Sequence, residues 1–143
     1  MEGTLRTLDK GMREEAMRRI RLTAENIAEA AGAKATVTID STAPVTYNDP
    51  ELTRKMLPTL RKIVGEGSVL EAQARTGAED FSYFQEKIPG FYFFLGTSEE
   101  GANPETAPPN HSPLFTVNEK TLTVGIRALA GLAIDYLNHQ PIP

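Results

Sequence analysis

Residues 90–96 have the sequence GFYFFLG, a run of five apolar residues between two glycines. An uninterrupted apolar run of this length is typical of a strand that is buried on both faces. Around it lie a strand-like stretch at 69–74, a helical pattern at 79–87 and an amphipathic helical pattern at 118–138. Asn118 is the expected cap of the last helix, and its expected inner face is an apolar stripe of Leu122, Ile126, Leu129, Ala133 and Tyr136. This alternation of helices and strands predicts a layered α/β domain over residues 48–143.

The first 44 residues form a smaller unit with a pattern of their own. Residues 12–31 carry apolar side chains at helical spacing, Asp9 is a suitable N-cap, and Gly32 is a suitable terminator. Residues 34–43 then alternate apolar and polar side chains, which predicts a half-buried strand. Residues 3–8 form a short alternating stretch that predicts a brief strand before the helix. One helix between two short strands buries little surface, so we expect this unit to be incomplete alone.

Two prolines within residues 44–50 mark the boundary between the two parts. Asn48 or Asp49 can cap the helix that follows, because the next residue is a proline that suits a first helical turn. Pro58 removes one helical hydrogen bond and is expected to kink or break this helix. Gly65 is expected to end it.

The composition narrows the class of protein. The chain has 143 residues, a formal net charge of −4 and no cysteine, which excludes disulfides, thiolate zinc sites and cysteine nucleophiles. The sequence contains no basic block, signal-peptide pattern or apolar run of membrane-spanning length. We therefore expect a cytoplasmic protein that binds small molecules or proteins, with no nucleic-acid or membrane partner.

The strongest candidate for chemistry is a histidine in a long loop. Residues 97–116 show no periodicity and contain four prolines, and irregular loops of this length are often functional. The segment PPNHSP at 108–113 places His111 between prolines that restrict the backbone. A neutral imidazole is a common metal ligand and an acid/base group, so His111 is either a ligand or a surface residue without a task. His139 is interpreted as a residue of the last helix end.

A second candidate is the segment RTGAEDF at residues 75–81, between a predicted strand and a predicted helix. Ligands of α/β domains bind at such strand ends, and Gly77 permits close approach to the backbone. Glu79 and Asp80 can serve as helix caps or as catalytic groups. A catalytic zinc ion needs about three protein ligands, and His111 alone cannot supply them.

Several short motifs follow one another in a recognisable order. They are GTLRTLD at 3–9, NDP at 48–50, GAEDFSYF at 77–84, FFLG at 93–96 and NHSP at 110–113. The set resembles the C-terminal part of the M20 metallopeptidase family, in its aminoacylase and amidohydrolase branch. That branch includes hippurate hydrolases, N-acyl-amino-acid amidohydrolases and auxin-conjugate hydrolases.

The resemblance implies a fold and a domain assignment. In the family, a catalytic domain with two divalent metal ions, zinc or manganese, is interrupted by a smaller lid domain that commonly dimerises. Residues 1–44 would be the second half of a ferredoxin-like lid, the dimerisation domain. Residues 48–143 would be the C-terminal part of the layered α/β metallohydrolase domain. A homodimer or a self-associating chain is therefore expected.

The resemblance also implies roles for individual residues. His111 takes the place of a family metal ligand, and Asp80 is expected to cap the next helix. Three residues take places beside the substrate: Gly77, Ala78 and Glu79.

The same resemblance predicts an incomplete site. The other metal ligands, the bridging carboxylate, the general-base glutamate and the lid histidine of the family have no counterpart here. We therefore expect a fragment that has no catalytic residue of its own and is inactive in isolation. In the whole enzyme, a metal-bound water would attack the amide of an N-acyl amino acid or a related compound. A noncatalytic binding or interaction module derived from such an enzyme is the alternative. An unrelated α/β domain whose long loop binds a partner is a third reading.

Overall fold

The computed structural model describes residues 1–41, 43–99, 101–103 and 106–139. Parts of the predicted strand at 34–43 and of the predicted loop at 97–116 lie outside these residues. The helices and one 3-10 turn of the described part are α1 (Lys10–Ala30), α2 (Pro50–Val64), the 3-10 turn Glu66–Ser68, α3 (Phe81–Gln85) and α4 (Lys120–Asn138).

The chain divides into two compact units, and each unit consists of two separate segments of the sequence. The first unit contains Met1–Asn48 and Ala72–Tyr92, and the second contains Asp49–Glu71 and Phe93–Pro143. The assignment of residues 1–44 to a lid and of 48–143 to a catalytic domain stays a prediction.

Helix α1 begins and ends where its capping residues predict. The Asp9 carboxylate accepts the backbone N–H of Met12 at 2.6 Å. At the other end Gly32 adopts a left-handed φ of 69°. Its N–H donates to the carbonyl of Glu29, and the N–H of Ala33 donates to that of Ala28. This pair of bonds is the Schellman motif, which satisfies the last carbonyls of the helix.

Helix α2 is capped by Asp49, whose carboxylate accepts the N–H of Leu52 at 2.8 Å. The helix continues through Pro58, so of the two expected outcomes a break is wrong, and a kink stays a prediction. Proline removes only one hydrogen bond, and Met56 and Leu60 are buried on either side of it. Gly65 ends the helix with a φ of 92°, as predicted.

Helices α2 and α4 pack against each other within the second unit. A Cβ atom added at Gly131 of α4 would lie 2.6 Å from the Cδ1 atom of Ile63, so glycine permits the close approach. The Thr59 hydroxyl donates to the Asp135 carboxylate at 2.5 Å. Ala128 of α4 is 2% exposed and lies on the buried side of the helix.

The buried side of α4 is not the side that the sequence predicts. The predicted inner face is largely exposed: Leu122 (52%), Ile126 (69%), Leu129 (65%) and Tyr136 (41%). Because α4 carries apolar side chains on both sides, periodicity alone does not identify the buried one. Gly131, which approaches Ile63 of α2, lies three positions after Ala128 and therefore on the same, buried side.

The described residues contain no β-strand, so the α/β class and the ferredoxin-like lid unit stay predictions. The alternation of side chains at 34–41 is present, with Ala35, Val37 and Ile39 half-buried and the residues between them exposed. Phe94 is 58% exposed, so the expectation of a fully buried strand at 91–95 was wrong. A strand requires a neighbouring strand for its hydrogen bonds, and none is present for these segments in the part described.

Asn118 lies immediately before α4 and supports its start. Its side-chain oxygen accepts the N–H of Lys120 at 3.0 Å, and its own amide group donates to Glu99. The cap position itself is taken by Glu119, one residue later than predicted. Among the described residues, no helix combines the length and the hydropathy that a membrane span requires.

Candidate functional site

The loop of Gly77, Ala78 and Glu79 lies in the first unit. Gly77 and Ala78 are exposed and Glu79 is half-buried. Upstream, Arg6 donates through Nη1 to the carbonyl of Thr76 at 3.0 Å. An arginine from the N-terminal segment therefore holds the backbone immediately before the three residues that the resemblance places beside the substrate.

Glu79 is held through its main chain, and its carboxylate affects the titration of Tyr92. Its carbonyl accepts the hydroxyl of Ser82 at 2.6 Å, and Ser82 is fully buried. Burial of the phenol raises the pKa of Tyr92, and the negative charge and hydrogen bond of Glu79 raise this pKa further.

Asp80 occupies the N-cap position of α3, but its side chain makes no capping hydrogen bond. Asp80 is therefore at the predicted cap position, but the capping hydrogen bond that the prediction implies is not formed. An N-cap side chain reaches the first N–H groups from an extended backbone, whereas Asp80 is already helical, with φ −63° and ψ −24°.

His111 lies in the second unit, exposed, in a series of turns. The N–H of Ser112 donates to the carbonyl of Pro109 at 3.0 Å, and the N–H of Phe115 donates to that of Ser112 at 3.0 Å. His111 has φ 72° and is the one non-glycine residue with positive φ in the described part of the chain. This left-handed conformation is uncommon outside glycine and is found more often at functional sites.

His139 is the C-cap of α4, as predicted for a residue of the last helix end. Its Nδ1 atom lies 2.7 Å from the carbonyl oxygen of Asp135. It also lies 3.4 Å from a carboxylate oxygen of the same residue. The ring is thus engaged at the helix terminus, which matches a structural role.

The residues that the structure describes contain no group of three or more histidine, aspartate or glutamate side chains able to hold a metal ion. His111 on its own does not meet the requirement of about three protein ligands for a catalytic metal. We therefore derive no catalytic step through a metal from these residues.

Sequence reasoning missed two residues of this region, Asn48 and Tyr92. It interpreted Asn48 as a possible helix cap and Tyr92 as one apolar residue of a buried strand. In the structure Asp49 alone caps α2, and Asn48 instead makes hydrogen bonds to Tyr92. No local pattern links them, because 44 positions separate the two residues in sequence.

Comparison with known proteins shows the family to which the chain belongs. The model of Peptidase family M20/M25/M40 matches residues 3–135, and the chain belongs to this family. The resemblance predicted from the ordered motifs is therefore confirmed.

Three relatives illustrate the range of the family. Thermostable carboxypeptidase 2 of Saccharolobus solfataricus is 40% identical over 96% of this chain and 34% of its own length. The putative amidohydrolase YhaA of Bacillus subtilis is 31% identical over 96% of this chain and 34% of its own length. The IAA-amino acid hydrolase ILR1-like 2 of Arabidopsis thaliana is 35% identical over 68% of this chain and 21% of its own length.

The chain thus spans about a third of the length of the first two relatives. No solved structure matches the chain.

Proposed function

We propose that this chain forms part of a metal-dependent amidohydrolase that hydrolyses N-acyl amino acids or related amides. The family match over residues 3–135 carries the proposal, because it includes both the GAED loop and the NHSP loop. Relatives named as an amidohydrolase, an IAA-amino acid hydrolase and an N-acetylcysteine deacetylase support hydrolysis of amide bonds. The whole protein would use two divalent ions, zinc or manganese.

In this proposal His111 supplies one metal ligand, and Gly77, Ala78 and Glu79 form part of the substrate wall. The exposed, left-handed backbone of His111 supports the first role, since it presents the imidazole away from packed neighbours. The remaining ligands and the general base would come from sequence outside these 143 residues. The isolated chain is therefore expected to bind metal weakly and to hydrolyse nothing.

A noncatalytic binding or interaction module is the second candidate. The absence of a metal-binding cluster in the described part of the chain favours it. Cytoplasmic location, and association with a second copy, are further proposals. The exposed apolar face of α4 supports self-association, because large apolar surfaces of this kind mark sites of protein contact.

Zinc titration calorimetry of the purified chain, with an assay on N-acyl amino acids, tests the proposal. We expect weak binding that His111→Ala reduces, no turnover, and little change of melting temperature, because large metal-coupled folding energies belong to complete sites. His139→Ala is the matched control and should leave zinc binding unchanged. Tight stoichiometric zinc binding or turnover would contradict the incomplete-site assignment, and zinc binding that does not depend on His111 would contradict its role as a ligand.

A further inference from the structure

Helices α2 and α4 leave an open groove between them, within the second unit. Two cavities of about 370 and 330 Å³ lie in it, and both are lined by Thr59, Lys62 and Asp135. The two cavities therefore adjoin, and together they are called the α2–α4 groove. Its titratable side chains, among the described residues, are Lys55, Lys62, Arg127, Asp135 and His139.

The α2–α4 groove concentrates positive charge on an acidic chain. The cations Lys55, Lys62 and Arg127 line it against a single carboxylate, that of Asp135, in the part of the chain that the structure describes. The whole sequence has the opposite balance, with 15 Lys+Arg and 19 Asp+Glu. A concave surface with a local excess of one charge attracts ligands of the opposite charge.

The single carboxylate of the groove is already engaged. The Thr59 hydroxyl donates to Oδ2 of Asp135, and Oδ1 of Asp135 lies 3.4 Å from Nδ1 of His139. The ammonium group of Lys55 lies 5.1 Å from the centre of the Tyr136 ring, a cation–π contact that holds it at the groove.

Lys62 and Arg127 are the cations that remain open to a ligand. Both are exposed, and neither forms a salt bridge with the described residues. An anion that enters the groove can therefore pair with them without breaking an ion pair of the chain.

The spacing of the cations selects the kind of anion. Lys55 and Lys62 are seven positions apart on α2, about 10 Å along the helix axis, and Arg127 and His139 on α4 are twelve positions apart, about 18 Å. A single phosphate group cannot reach cations so far apart. An extended peptide rises about 3.3 Å per residue, so about six residues span this length and place carboxylates along it.

We propose that the α2–α4 groove binds an extended acidic peptide segment of a partner protein, with Lys62 and Arg127 as its main charge contacts. The inference does not depend on the hydrolase function, on metal or on His111.

Fluorescence anisotropy with a labelled oligoglutamate peptide of about six residues tests the proposal. The unchanged chain should bind it, and binding should weaken as salt screens the exposed charges. Oligoglutamine of the same length, which has the shape but not the charge, should not bind. Lys62→Gln and Arg127→Gln should each raise the dissociation constant about twofold to fivefold, as expected for exposed ion pairs, and the double variant by about the product.

Arg54→Gln is the matched control, because Arg54 is an exposed cation of α2 that does not line the groove. It removes the same charge and should change the dissociation constant less than either groove variant does. Glutamine has a helix propensity similar to those of lysine and arginine, so circular dichroism should show equal helix content in all variants. Failure of oligoglutamate to bind, or an equal loss in Arg54→Gln, would overturn the proposal. Tighter binding of a single-stranded oligonucleotide would overturn the choice of an acidic peptide as the ligand.

Discussion

The outward face of α4 is expected to cause self-association of the isolated chain, and two substitutions on it should abolish that association. Ile126 and Leu129 are 69% and 65% exposed. They lie three positions apart and therefore on the same side of the helix. The double variant Ile126→Lys, Leu129→Lys replaces them with residues whose helix propensity matches or exceeds theirs. The helix should therefore stay intact while its apolar face is interrupted.

The size of the effect follows from the exposed fractions. Complete burial of an isoleucine or leucine side chain contributes about 1.5–3 kcal/mol, and about two-thirds of each side chain is still open here, so each can gain about 1–2 kcal/mol. In a symmetric pair of copies the two changes remove four such side chains, about 4–8 kcal/mol. The dissociation constant should rise by a factor of about a thousand to nearly a million.

Sedimentation equilibrium across the micromolar range measures this directly. The unchanged chain should associate, the double variant should be a monomer, and circular dichroism should show equal helix content. Leu70→Lys is the control, because Leu70 is 83% exposed and lies in the same unit but outside the helices. A monomeric unchanged chain, or a double variant that associates as strongly as before, would refute the reasoning.

Two further predictions concern helix ends and charges. Asp49→Ala should lower the free energy of unfolding by about 1 kcal/mol in urea titration, because the N–H of Leu52 loses its acceptor. Asp49→Ser should be nearly neutral, because serine is also a good N-cap residue. Equal losses in both variants would contradict the capping role. Hydrogen bonds from Arg18, the larger cause, and from Arg19 lower the pKa of Glu15 from 4.5 to about 2. The contribution of this contact to stability is therefore present above pH 4.5 and is lost as the pH falls through about 2. Carboxyl NMR titration should show this midpoint near 2, and Arg18→Gln should raise it; an unshifted midpoint in the unchanged chain would be evidence against the contact.

The sequence predicted the local features of the fold well. The cap of α1 at Asp9, its end at Gly32 and the cap of α2 at Asp49 are all confirmed. Each depends on hydrogen bonds between residues within about five positions of one another, so the signal lies within one stretch of sequence. The run at 91–95 depends instead on a neighbouring strand, which its own residues do not specify.

Helix α4 was predicted correctly, but the side of it that is buried was not. Its apolar residues at 122, 126, 129, 133 and 136 have the spacing of a buried stripe, yet the structure buries the side that contains Ala128. Contact with α2 depends on how near two backbones can approach, and hydrophobic periodicity does not measure that distance. Gly131, where an added Cβ atom would lie 2.6 Å from Ile63 of α2, is on the same side of α4 as Ala128.

In the candidate site, the sequence predicts the residues proposed to contact metal or substrate but not the residues that support them. His111 and Glu79 could be singled out because they lie within the NHSP and GAEDFSYF motifs that carry the resemblance to the family. Tyr92 could not, because a tyrosine within an apolar run has an ordinary explanation in packing, and its hydrogen-bond partner Asn48 lies 44 positions upstream, outside that run. Asn48 likewise already had an ordinary explanation as a cap before a proline. Supporting residues are thus recognised only when the fold brings their partners together, as it brings Asn48 to the backbone of Tyr92.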